Sequence, residues 1–166
     1  MARKIVVGVM GPGQPNEREE YNARALGKAI AQNGWALLTG GRATGVMDAA
    51  SQAAQEAGGL VVGVLPDADT TDCSDFVDIA IITDMGSARN NINVLSSDVV
   101  IACGMGSGTA SEVALALKAG QTVILLTDHE ESQRFFSALK PGCTLPAESA
   151  AQAIELAKGL LAKRHK

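Results

Sequence analysis

Histidine, cysteine and aromatic residues are scarce in this chain, and each shortage removes a class of function. The two histidines, His129 and His165, and the three cysteines, Cys73, Cys103 and Cys143, stand far apart and without CxxC spacing. A His/Cys zinc site or a histidine-activated nucleophile therefore has almost no material, and no metal ligands are expected. Scattered thiols, odd in number, read as reduced cytoplasmic cysteines, and His165 falls in a basic tail. Aromatic side chains make up 3% of the chain while apolar residues make up 46%. The core must therefore be Val, Ile, Leu and Ala, a composition suited to helices packed on a parallel sheet.

Positive charge is short as well. Fourteen Lys and Arg face eighteen Asp and Glu, a net charge of -4. Such a chain has no basic field with which to neutralise a phosphate backbone, so nucleic acid is not an expected partner. Long apolar runs are missing too: the stretch after Met1-Ala2-Arg3-Lys4 is broken by Gly11-Pro12-Gly13, too soon for a signal peptide or a membrane span. The expectation is one cytoplasmic domain over residues 1–166, long enough to bury roughly two-thirds of its unfolded surface.

What is present is alternation. Short β-branched runs at 5–9, 35–38, 60–64, 79–82, 99–102 and 122–126 read as strands. Alanine-rich amphipathic stretches at about 16–32, 45–57, 88–95, 109–119 and 130–138 read as helices between them, and 149–163 as a closing helix. Strand followed by helix, repeated, is the pattern of βαβ units and of a doubly wound parallel sheet. Asn33-Gly34, Gly58-Gly59 and Gly120 mark helix ends. The long irregular stretch 66–75 carries Asp67, Asp69, Asp72 and Asp75, but their spacing is not that of an EF-hand loop, and it reads as a solvated polar loop. The alanine-rich helix from Val113 to Ala119 is the candidate face for a symmetry mate.

Three glycine clusters each follow a strand and precede a helix: 8–13, 40–45 and 104–109. In a doubly wound sheet the carboxyl ends of the strands share one edge, so these loops converge there. Glycines let backbone approach an anion, N–H groups at a helix start donate to it, and the helix dipole favours its charge. A phosphate-bearing small molecule is the expected ligand. Each cluster is also compatible with a plain tight turn, and Thr109 and Glu112 have the spacing of a capping box, in which Glu112 would merely start a helix. None of the clusters is a Walker A loop, and GxxGxG at 8–13 is not the dinucleotide fingerprint. Arg42, inside the second cluster, and Arg89, after Gly86-Ser87-Ala88, are the guanidinium groups available to a phosphate.

The segments Thr39-Gly40-Gly41-Arg42, Gly45-Val46-Met47-Asp48-Ala49-Ala50, Gly63-Val64-Leu65-Pro66, Gly86-Ser87-Ala88-Arg89-Asn90 and Gly106-Ser107-Gly108-Thr109-Ala110-Ser111-Glu112 together resemble the molybdenum cofactor carrier proteins. These lie in the superfamily of the LOG-type phosphoribohydrolases, often called lysine decarboxylase-like. The resemblance implies a Rossmann-like three-layer α/β/α fold, a homo-oligomer (dimer or tetramer), and a pocket holding the terminal phosphate of molybdopterin at Gly106, Ser107, Gly108 and Thr109. Arg89, Asn90 and Glu112 would line the cleft, with Arg42, Gly41, Gly11 and Gly13 nearby. The protein would bind the cofactor as cargo, protect it and release it to a molybdoenzyme, with no catalytic step. The hydrolase relatives use PGGxGTxxE and an Arg; Thr109 and Glu112 match that motif and Arg89 that Arg, so that Arg89 and Glu112 would be catalytic if the chain were a hydrolase. Gly104 and Met105 depart from the Pro and the first Gly, and Asn90 from the Lys that follows the Arg. A phosphoribohydrolase acting on a nucleoside monophosphate and a module binding an AMP-type nucleotide remain the alternatives.

Overall fold

The computed structural model describes residues 3–164, so Met1, Ala2, His165 and Lys166 lie outside the described residues. Seven strands form one sheet: β1 (Val6–Met10), β2 (Ala36–Thr39), β3 (Leu60–Leu65), β4 (Ile79–Ile82), β5 (Val99–Cys103), β6 (Val123–Leu126) and β7 (Thr144–Pro146). Their order is β4-β3-β2-β1-β5-β6-β7, and every neighbouring pair is parallel. Six helices join them: α1 (Glu17–Gln32), α2 (Gly45–Glu56), α3 (Asn90–Leu95), α4 (Ser107–Lys118), α5 (Glu130–Leu139) and α6 (Ala150–Arg164).

Alternation within the strands sends side chains to two cores. Val7, Val9, Leu37, Val61 and Ile101 pack under α1, α2 and α6, whereas Met10, Leu38, Val64, Val100 and Leu125 pack under α3, α4 and α5. Every strand but the edges is covered on both faces, which gives the three-layer α/β/α, Rossmann-like architecture that the alternating pattern implies.

The differences from the sequence reading are local. β7 is an additional strand of three residues pairing with β6, and Pro146 is tolerated there because an edge strand need not donate outward. The stretch at 88–95 is not one helix: a 3-10 turn, Gly86–Arg89, precedes α3, with Gly86 in the left-handed region at φ 54°. α4 begins at Ser107 rather than Thr109. Its residues Val113, Ala116 and Leu117 are spent on the sheet, at 2% exposure or less, while Ala114 and Ala119 are exposed and Leu115 is half-buried. Exposed apolar surface also lies at a sheet edge, where Ile79, Ile81 and Ile82 of β4 are 48%, 42% and 49% exposed.

The loop at 66–75 is tied to the second glycine cluster. Ala43 N–H donates to the Asp72 carbonyl, Ser74 N–H donates to the Gly41 carbonyl, and Arg42 forms an ion pair with Asp72 at 3.0 Å. Two of its acids serve pairing and hydrogen bonding, Asp72 with Arg42 and Asp69 accepting from the Thr71 N–H. Among the described residues no group of three or more His, Cys, Asp and Glu is placed to hold a metal ion, and no helix is long and apolar enough to cross a membrane.

Candidate anion site at the switch point

The chain winds away from β1 in both directions, to β2, β3 and β4 on one side and to β5, β6 and β7 on the other. After β1 it turns to α1 on one face, and after β5 it turns to α4 on the other. The carboxyl ends of these two adjacent strands therefore part, and the opening between their loops is where ligands enter doubly wound folds. A cavity of about 410 Å³ lies there, in the size range of small-molecule sites.

Close backbone packing shapes it. A Cβ on Gly11 would fall 2.5 Å from both the Cys103 carbonyl oxygen and Val46 Cγ1, so only glycine lets the β1–α1 loop run between β5 and α2. Gly45, at φ 58°, lets α2 start against the same loop, with Val46 N–H donating to the Pro12 carbonyl and Thr44 Oγ1 to the Gly13 carbonyl. Gly11, Pro12 and Gly13 thereby become one wall, with Gly40, Arg42 and Met47 beside it.

The opposite wall is the start of α4. Gly106 is its N-cap, in extended conformation, and no side chain caps the helix. The leading N–H groups of any helix lack intrahelical acceptors, so an uncapped N-terminus facing a cavity presents donors and positive potential to whatever enters. Gly106, Ser107, Gly108 and Thr109 all line this cavity. Thr109 is 2% exposed, yet its Oγ1 has no hydrogen-bond partner, which leaves a buried hydroxyl oriented by the helix and unused by the protein.

Arg89 enters from the 3-10 turn and is 9% exposed. It donates to Asn90 Oδ1 and, at 3.3 Å, to the Gly40 carbonyl, while its Nε remains unpartnered. Burial pulls its pKa downward; Glu112 and Asp67 push it up, and nearby Arg42 pulls it further down. Both arginines line the same cavity, and two guanidinium groups there attract an anion.

Glu112 completes the floor. It is 6% exposed, its Oε1 accepts from Asn93 Nδ2 at 2.8 Å, and it lies 3.9 Å from Arg89 Nη1. Burial raises its pKa to about 7, against the lowering effects of Asn93 and Arg89. The capping-box role is excluded by the register: with α4 starting at Ser107, Thr109 is already the third helical residue, and Glu112 binds Asn93 on α3 instead.

Of the residues singled out in sequence, the structure brings Gly11, Gly13, Arg42, Arg89, Asn90, Gly106, Ser107, Gly108, Thr109 and Glu112 around this one cavity. Gly41 does not reach it. Its backbone, at φ 76°, turns against β3, where a Cβ would lie 3.0 Å from the Gly63 Cα. Cys103 also faces away, fully buried in the core beneath α1 with its thiol donating to the Glu19 carbonyl at 3.5 Å and its pKa pushed up by burial to about 12. Residues that sequence reasoning missed are Met10, Met47 and Gln14 on the cavity wall and Asn93 behind Glu112. Only Asn93 left a signal, four residues after Arg89 and so one helical turn along the same face.

A family model described as the SLOG cluster4 family matches residues 4–154. The molybdenum cofactor binding protein of the phototrophic bacterium Rippkaea orientalis is 54% identical, with 97% of this chain and 99% of that one covered and a TM-score of 0.95. The Moco carrier protein of Chlamydomonas reinhardtii is 54% identical over 97% of this chain and 99% of its own, with a TM-score of 0.91. An uncharacterized protein of Archaeoglobus fulgidus is 48% identical over 120 residues, 72% of this chain and 78% of its own length.

Proposed function

This chain belongs to the SLOG cluster4 family and stands among the molybdenum cofactor carrier proteins, and from that premise we propose that it binds molybdenum cofactor as cargo, shields it and passes it to a molybdoenzyme. The observation that carries this reading is the uncapped, glycine-rich start of α4 facing two guanidinium groups across one cavity. The terminal phosphate of molybdopterin is assigned to the N–H groups of Ser107, Gly108 and Thr109, with Arg89 and Arg42 supplying charge and Asn90 an amide. Gly11 and Gly13 keep the facing wall low. The pterin runs along Met47, whose polarisable side chain suits a flat ring. No bond of the cargo is broken, and the protein acts in the cytoplasm.

Anaerobic calorimetric titration of the apo protein tests the reading. Intact cofactor is expected to bind, a dephosphorylated pterin to bind far more weakly, and AMP not to match the cofactor. Uptake of AMP with no uptake of cofactor would move the function to the nucleotide-binding module. Cleavage of AMP, lost in Glu112→Gln, would move it to the phosphoribohydrolase.

The unpartnered hydroxyl gives a separate check. Thr109→Val removes an oxygen that bonds to nothing in the protein, so stability should stay within about 1 kcal/mol of the parent. Cofactor affinity should fall about tenfold, the worth of one hydrogen bond to a charged group. Equal loss of stability and affinity would show that the hydroxyl serves the fold.

The chain is further assigned to a homo-oligomer, a dimer or tetramer. Support comes from the exposed edge strand β4, whose Ile79, Ile81 and Ile82 remain half-exposed, an edge without the lysines or prolines that keep free strands solitary. Light scattering should give a dimer or tetramer mass, and a monomer would remove this assignment.

A further inference from the structure

A carrier has no evident need for a carboxyl group at the bottom of an anion pocket. Among the described residues, Glu112 is the one acidic side chain lining the cavity, set against the basic groups Arg42 and Arg89, and it stands two turns or less from the helix start assigned to the phosphate. We propose that Glu112 makes cargo binding proton-linked: the cavity takes up its phosphate-bearing ligand together with a proton on the Glu112 carboxyl and loosens its hold when that proton is lost. The inference rests on the anion-site reading above and adds a control to it.

Geometry sets the competition. Arg89 Nη1 lies 3.9 Å from Glu112 Oε1, and its Nε is unpartnered, so one guanidinium serves two masters. Facing a neutral carboxyl, Arg89 is free to direct its charge at a phosphate. Facing a carboxylate it is partly neutralised, and the phosphate meets a second negative charge in a poorly hydrated space. Asn93, fully buried, holds Glu112 in place by donating to Oε1, and its own Oδ1 has no partner.

The charged surroundings are few. From the 3-10 turn comes Arg89; Arg42 from the β2–α2 loop and Asp67 from the β3–β4 loop act on Arg89 behind it. α3 and β6, which pack against α4, contribute no titratable side chain, and the one on β5, Cys103, points to the other face. Burial already holds the Glu112 proton to about pH 7, and an anion in the same cavity holds it more firmly. By linkage, a proton that is retained on binding must in turn strengthen binding. Affinity is therefore highest below the titration of Glu112 and declines as pH rises through it.

Sulfate is the suitable probe, since its charge is constant near neutrality while phosphate titrates there itself. Calorimetric titrations of the wild type at about pH 6 and about pH 8.5 should show sulfate affinity falling about tenfold, the scale expected of like charges sharing one cavity. In further titrations near pH 7.5, the heat should vary with the ionisation enthalpy of the buffer, reporting proton uptake by the native chain without any substitution. Glu112→Gln should lose both the pH dependence and the uptake. Affinity independent of pH in the wild type, or an unchanged pH dependence in Glu112→Gln, overturns the inference and leaves the anion site standing. Absence of sulfate binding at every pH removes the site and the inference together.

Discussion

Gly108→Asp is expected to abolish binding of a phosphate-bearing ligand, weakening it by about a hundredfold or more, without destabilising the protein. A Cβ at Gly108 meets nothing within 4 Å, and the residue lies in the first turn of α4. The added carboxylate therefore stands in open space at the wall of the cavity that Gly108 lines, close to the N–H groups assigned to the phosphate, and repels it. For the fold the same change is favourable. Replacing a helical glycine contributes about 0.5 to 1 kcal/mol, and an acidic residue near a helix N-terminus adds a further fraction. Gly108→Ala provides the control, with the helix gain and little loss of affinity. Thermal unfolding and titration of the three proteins decide the matter. Undiminished cofactor affinity in Gly108→Asp would mean that the phosphate lies elsewhere.

The second large effect concerns stability against pH. Glu112 has a folded-state pKa of about 7, against an ordinary 4.5. Between those values the folded protein holds a proton that the unfolded chain releases, so stability falls as pH rises through this window. The protonated form is favoured, and the cost of ionisation is fully present above about pH 8. A shift of this size corresponds to about 3 kcal/mol. Glu112→Gln keeps a neutral group of the same shape that can still accept from Asn93. Its stability should match the wild type within about 1 kcal/mol near pH 4.5 and exceed it by about 3 kcal/mol near pH 8.5, a rise in Tm of roughly 6 to 12 °C for a domain of this length. The difference between the two unfolding curves isolates this carboxyl from every other titrating group. Parallel curves would place the Glu112 pKa in the ordinary range and would weaken the proton-linked binding inferred above.

These two substitutions bracket the site, one at its mouth and one at its floor, and they differ in how visible they were. The glycine clusters are legible because each follows a β-branched run, and in a parallel sheet the ends of such runs converge without further information. Glu112 was ambiguous for a physical reason. Thr109 and Glu112 have the spacing of a capping box, and glycines at 106 and 108 disfavour helix, so a start at Thr109 is the natural reading. The helix begins at Ser107 instead, and that offset of two residues turns a capping carboxylate into a buried one. The true capping box lies at Asn16 and Glu19, where each side chain accepts from the other's backbone N–H.

Other misses follow from edges and turns. β7 holds three residues ending in Pro146, too few for alternation to register, and owes its existence to pairing with β6. Gly41 illustrates the opposite error, since glycine signals a backbone constraint, and here the constraint is close approach to β3 rather than access to a ligand. Exposure of β4 is invisible to periodicity, because Ile79, Ala80, Ile81 and Ile82 read as a buried strand whether a helix or another copy covers them.

A crystal structure of the protein with molybdenum cofactor bound tests the phosphate site most directly. The terminal phosphate is expected within hydrogen-bond distance of the N–H groups of Ser107, Gly108 and Thr109, with the Arg89 guanidinium turned to it and the pterin beside Met47. A phosphate seated away from the start of α4 would contradict this placement.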